Sequence, residues 1–148
     1  MKKIYIGIDP GQDGGIAVID EEYKYAIADV YSNEALIETL ETIPANKAVC
    51  CLEKVHSMPG QGVKSMFSFG QNFGFIKGVL ETLKIAYQEI PPQRWKKEFG
   101  LNDSKAKSIE VAKQLFPNTN LKATAQSRKL HDGMAEALLM AEYARRKL

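Results

Sequence analysis

Three short strands arrive in quick succession at the start of this chain, and that order limits the folds open to it. Lys3–Asp9 is an apolar run of β-branched and aromatic residues stopped by Asp9-Pro10-Gly11, the pattern of a buried strand ending in a turn. Gly14-Gly15 opens a second strand over Ile16–Asp20, and Tyr23–Val30 follows an acidic turn at hairpin spacing. Then the period changes. Ser32 as N-cap with Ala35 at N3, followed by Leu36, Ile37, Leu40 and Ile43, predicts a short amphipathic helix ended by Pro44. Ala48–Val55 reads as a strand buried on both faces, Val63–Leu83 as a helix and Ile85–Ile90 as a fifth strand. Pro91-Pro92 starts a turn of helix, Asp103 or Ser104 caps a helix running to Phe116, and residues 118–130 form a polar, basic, mobile loop. The last helix runs from about His131 or Asp132 to the end of the chain. This order predicts one mixed α/β sheet with helices packed on it, in a single domain over residues 1–148.

Composition narrows the class further. At 148 residues the chain is long enough to bury a real core. No apolar run approaches the length of a membrane span, and Ile4–Ile8 before Asp9 is too short for a signal peptide. The only two cysteines, Cys50 and Cys51, are adjacent in a strand and so point to opposite faces, which excludes an ordinary bridge between them. With no other cysteine there is no zinc ribbon, and the expectation is a soluble protein of a reducing compartment, the cytoplasm. Charge is unevenly spread. Residues 1–54 carry five basic and ten acidic side chains, residues 55–148 fifteen and eight, a mild argument for a polyanionic partner of the C-terminal part.

Four carboxylates stand where solubility does not require them. Asp9 closes the first strand, and Glu53 lies inside Val49-Cys50-Cys51-Leu52-Glu53-Lys54-Val55, where a buried charge is costly unless paired or bound to a cation. Asp132 and Glu136, four apart at the start of the last helix, share a face. Singly, each has a plain reading: a turn residue, a partner for lysine, an N-cap, a solvated helical acid. Together, with no His/Cys set beside them, they point to a hard cation, Mg²⁺ or Mn²⁺, and to metal-assisted displacement at a phosphodiester. Three glycines, Gly70, Gly74 and Gly78, place a smooth stripe on one helical face, read first as close packing on the sheet and second as close approach to a ligand. Trp95 reads as a core residue. His131, beside a carboxylate, is either a proton shuttle or metal ligand, or simply part of the helix start.

The strand–Gly-x-Asp-x-Gly opening is shared with actin-like and sugar-kinase ATPases, whose fold needs a second comparable half for which 148 residues leave no room. The fuller match is elsewhere. Ile6-Gly7-Ile8-Asp9-Pro10-Gly11 with Gly15-Ile16-Ala17-Val18, Leu52-Glu53-Lys54-Val55 with Phe69-Gly70-Gln71-Asn72-Phe73-Gly74, Ser104–Ser108, and Asp132–Ala141 resemble, in order, the motifs of the RuvC family of the ribonuclease H-like superfamily. The resemblance implies a five-stranded mixed sheet flanked by helices and a homodimeric, Mg²⁺-dependent endonuclease that cuts four-way (Holliday) junctions, with Mn²⁺ as a substitute and no small-molecule cofactor. Carried over by residue, Asp9, Glu53, Asp132 and Glu136 would hold metal, with Asp132 favoured over Glu136 for its place at the helix start. Lys107 would lie near the scissile phosphate, with Lys96 as a second candidate and His131 as a possible catalytic group. Arg94, Lys96, Lys97, Lys105, Arg128 and Lys129, with Lys122, would bind DNA phosphates. The final helix departs from the family in spacing its acids four apart. The loop His56–Gly62 lacks the family's aromatic wedge, for which Phe67 or Phe69 would stand in. A small member of this kind suits a phage or bacterial cell. The rival readings are a ribonuclease H-like nuclease acting on RNA or RNA–DNA hybrid, and a non-catalytic nucleic-acid-binding domain.

Overall fold

The computed structural model describes residues 2–54 and 60–148. Five strands form one mixed sheet: β1 (Ile4–Asp9), β2 (Gly15–Asp20), β3 (Ala26–Val30), β4 (Ala48–Glu53) and β5 (Ala86–Ile90), in the spatial order β3-β2-β1-β4-β5. The first three pair antiparallel, as their short connections require, while β4 lies parallel to β1 and β5 parallel to β4. The helices are α1 (Asn33–Glu41), α2 (Val63–Thr82), α3 (Pro92–Glu98), α4 (Lys105–Leu115) and α5 (Asp132–Lys147). The expected α/β architecture is the observed one, and Ser32 caps α1 as expected, its Oγ accepting from the Ala35 amide at 2.9 Å.

Alternation along β1 divides the core. Ile6 and Ile8 pack with α1 and α2 on one face, whereas Tyr5 lies with α3, α4 and α5 on the other. Cys50 and Cys51, adjacent and fully buried, fall on opposite faces as their spacing demands, and burial raises both thiols, Cys51 to about 12. Helix α5 occupies the centre of its face and is buried on nearly every side from Gly133 to Ala144. It sits so low on the sheet that a Cβ at Gly7 would meet the Ala137 carbonyl oxygen, and one at Gly15 would meet the backbone of Gly133. These two glycines set the height of the helix and therefore of the acids it carries.

Three expectations need correction. The third strand begins at Ala26, because Tyr23 takes φ 58° and turns its hydroxyl to Glu142 on α5. The glycine stripe of α2 does not pack on the sheet. That helix buries Ile76 and Leu80, and a Cβ at Gly70, Gly74 or Gly78 would have nothing within 4 Å. The fourth strand is described to Glu53, and Val55 and residues 56–59 of the expected loop lie outside the described residues. The segment 118–130 forms neither helix nor strand, yet it is tethered: Leu121 is buried and its carbonyl accepts from the His131 amide at 2.7 Å. Among the described residues, no helix is long and apolar enough to cross a membrane.

Candidate active site

The parallel pairing of β1 with β4 brings two of the acids side by side. Ile8 is in register with Leu52, so Asp9 and Glu53, the next residue of each strand, leave the same edge of the sheet together. From above, α5 lowers Glu136 onto them. The Asp9 carboxyl lies against both Glu53 and Glu136, and only 8% of its surface is exposed. Burial, then the neighbouring charges of Glu53 and Glu136, hold it well above the usual carboxylate range. Glu53 is raised as well, mainly by burial. The Trp95 indole opposes that rise, its Nε1 donating to Glu53 Oε2 at 2.9 Å, and Lys96 opposes it through its charge.

Trp95 is the member of this cluster that the sequence reading missed. It is a core residue as expected, with no exposed surface, but it also fixes the rotamer of an acid 42 positions away. No local spacing signals such a pair. Glu142 escaped as well, although it is the most buried carboxylate of the chain. It accepts from Tyr23 Oη at 2.7 Å, from Arg145 at 2.6 Å and from Arg146 at 3.0 Å. Burial pushes it up, and these donors together bring it below the ordinary value. It locks the far end of α5 and has no part in the acidic cluster.

The remaining candidates separate into near and far groups. Asp132 stands one turn before Glu136 and is paired with Lys105, Nζ to Oδ2 at 3.4 Å; Lys105 also lies in the field of Glu136 and Asp13. Lys96 pairs with Asp103 at 3.4 Å and lies close enough to Glu53 to affect its protonation. Lys107 is exposed on α4, and its backbone amide donates to Ser104 Oγ at 3.2 Å. The His131 ring is the N-cap of α5, its Nδ1 accepting from the Met134 amide at 3.1 Å. Arg94 and Lys97 are turned to another site, a groove shared with Glu98, Tyr143 and Lys147, which α5 carries about 10–16 Å beyond Glu136. Arg128, Lys129 and Lys122 are exposed in the loop before α5.

The donor set is suited to a hard divalent cation: all oxygen, mutually repelling, and short of counter-charge beyond Lys96 and Lys105. Among the described residues these side chains do not stand as a ready three-ligand cage.

No family model and no curated protein matches the chain by sequence. Solved structures do. Thermus thermophilus RuvC in complex with a Holliday junction substrate superposes with a TM-score of 0.63 at 12% identity, over 97% of this chain and 96% of that one. The fold is RuvC-like. A second Thermus thermophilus RuvC structure gives a TM-score of 0.59 at 16% identity, over the same shares of both chains. The RuvC-like architecture thus accounts for the whole sheet and its helices, with identity too low to carry chemistry by itself.

Proposed function

We propose that this chain is a Mg²⁺-dependent, structure-selective endonuclease that hydrolyses phosphodiesters in four-way and other branched DNA junctions. The observation that carries the reading is the contact of Asp9, Glu53 and Glu136 at one edge of a RuvC-like sheet. Asp9, Glu53 and Glu136 would hold the cation, with Asp132 one turn away as a further ligand once released from Lys105. Bound there, a divalent cation supplies the charge that allows the acids to ionise together, and lowers the pKa of an attacking water. The protein contributes position. The strand ends and the glycine-seated helix fix the acids, and Trp95 holds Glu53 in one orientation. Lys105 and Lys96 stand beside the cluster to offset phosphate charge that the acids would repel, with Lys107, Arg128 and Lys129 further out.

The reading includes a homodimer. Val63 is 81% exposed and Phe67 67% exposed on the side of α2 opposite its buried residues, next to the open glycines 70 and 74. A stripe of large and small apolar residues on one helix is self-complementary, since the side chains of one copy fit over the glycines of the other.

The deciding experiment is cleavage of a synthetic four-way junction with Mg²⁺ or Mn²⁺, wild type beside Asp9→Asn. Paired nicks in opposed strands, abolished by the substitution while binding persists, support the reading. Binding without cleavage by the wild type overturns it in favour of a binding domain, and faster cutting of an RNA–DNA hybrid than of the junction overturns its substrate.

A further inference from the structure

Arg94 and Lys97 of α3 line a groove of about 390 Å³ together with Glu98 and with Tyr143 and Lys147 of α5. None of these side chains belongs to the acidic cluster, and Tyr143 stands seven residues beyond Glu136, about 10 Å along the helix axis. Cations dominate the lining. Arg94 and Lys97 are exposed and have no partner among the described residues. The one acid of the groove is already answered. Arg146 meets one oxygen of Glu98 at 3.0 Å and Lys147 approaches the other at 3.5 Å, and the Arg146 hydrogen bond keeps that carboxyl below its ordinary value. What remains is an excess of positive charge that no other lining residue balances.

Tyr143 makes the groove more than a patch of surface cations. Its side chain is only 6% exposed and belongs to the core on the α5 face. Its hydroxyl has no hydrogen-bond partner among the described residues. No side-chain oxygen or nitrogen there is both closed off from water and unpartnered, so the small exposed part of Tyr143 includes that hydroxyl. A ring held in the core thus presents an unused O–H donor to the groove, beside three cations. Such a set suits an anion that only accepts hydrogen bonds and offers several oxygens. Phosphate meets both conditions: a guanidinium fork spans two of its oxygens, and lysines act on it as point charges. A single carboxylate would leave most of the positive charge unmatched.

We propose that this groove is a phosphate-binding site, in which the Tyr143 hydroxyl donates to one phosphate oxygen, Arg94 spans two, and Lys97 and Lys147 supply charge. Two sources share this chemistry: the backbone of a DNA arm, and a small phosphate-bearing molecule. The first rests on the nuclease reading. A backbone phosphate held here lies about three nucleotides along an arm from the acids, at about 3.4 Å of rise per nucleotide, and the contact sets the angle at which the arm leaves them. The site itself stands on the groove alone.

The test uses the full-length chain, Tyr143→Phe, which removes only the hydroxyl, and a double variant carrying Arg94→Gln and Lys97→Gln. Inorganic phosphate is titrated at low, constant ionic strength against chloride while the backbone amide resonances of residues 94–97 and 143–147 are followed. Binding of a four-way junction is measured for the same proteins over a range of salt. The expected result is saturable shifts confined to those residues, weakened roughly fivefold or more by Tyr143→Phe and roughly tenfold or more in the double variant. Where the source is a DNA arm, Tyr143→Phe also weakens junction binding and the salt slope of the double variant is smaller by about one. Saturable phosphate shifts with junction binding unchanged in both variants assign the site to a small ligand. Weakened junction binding in the double variant alone, with Tyr143→Phe matching the wild type in both titrations, reduces the groove to general surface charge and overturns the site. So does a wild type with no phosphate saturation and no sensitivity of junction binding to either variant. Failure of the wild type to bind or cut the junction overturns the nuclease reading, and the phosphate titration then decides the site by itself.

Discussion

Gly7→Ala tests the link between packing and chemistry most directly. A Cβ at this position would meet the Ala137 carbonyl oxygen, stand 2.5 Å from the Ala141 nitrogen and 3.0 Å from Met140 Cβ. Real Cβ contacts do not fall below 3.0 Å, so α5 must retreat from β1 by at least 0.5 Å, and by more near Ala137. The obstacles are backbone atoms of a helix packed on all sides, which cannot swing aside as a flexible side chain would. Overpacking of this kind costs about 1–3 kcal/mol, and the rigid neighbour argues for about 3. For a domain of this size that lowers the melting temperature by roughly 6–12 °C. Because Ala137 follows Glu136, the same retreat withdraws Glu136 from Asp9. Displacements of about 1 Å at reacting groups cost on the order of a hundredfold in rate, so a ten- to hundredfold loss in single-turnover junction nicking is expected. The comparison is Gly78→Ala on α2, where a Cβ meets nothing within 4 Å and replacing glycine inside a helix stabilises by about 0.5–1 kcal/mol. A Gly7→Ala protein that melts with the wild type refutes the seating of α5 on this glycine. One that is destabilised yet fully active refutes the claim that helix height sets the site.

Asp9→Asn is expected to stabilise the metal-free protein at neutral pH. The carboxyl is raised in the fold, so the stability it contributes is complete below the ordinary carboxylate value and is lost as pH rises through the raised one, by about 1.4 kcal/mol per pH unit between the two. Melts in chelator across that range should show the wild type falling more steeply with pH than the variant, which keeps only the raised Glu53; parallel curves would contradict the cluster. Trp95→Phe keeps the ring and removes the donor to Glu53, so the acidic limb of the pH–rate profile should move up and nicking should drop on the order of tenfold. An unchanged profile counts against the role given to Trp95. Glu142→Gln should lower stability by about 1–3 kcal/mol, read by chemical denaturation, without changing the nicking rate, because its partners lie at the far end of α5. Phe67→Glu should convert the protein to a monomer in analytical ultracentrifugation, and a dimer that survives it places the interface away from α2.

Local pattern carried much of this protein. Alternation and turn residues located five strands in their right order, and the split of Cys50 and Cys51 between two faces followed from strand geometry alone. The oddity of Asp9 and Glu53 was legible too, since an acid inside an apolar run is visible without coordinates. What the sequence could not reveal was contact between distant residues. That Glu136 meets Asp9 while Asp132 turns to Lys105 depends on the height and rotation of α5, which backbone clearance at Gly7 and Gly15 decides. The outward turn of the α2 glycines depends on which side of that helix found the sheet, and the helical period is the same for either side. Trp95 and Glu53, like Tyr23 and Glu142, are partners across long loops. Periodicity records which residues avoid water, because burial is averaged over a whole face. Pairing between particular polar atoms is set only when the faces close on one another, and that closure belongs to the tertiary structure.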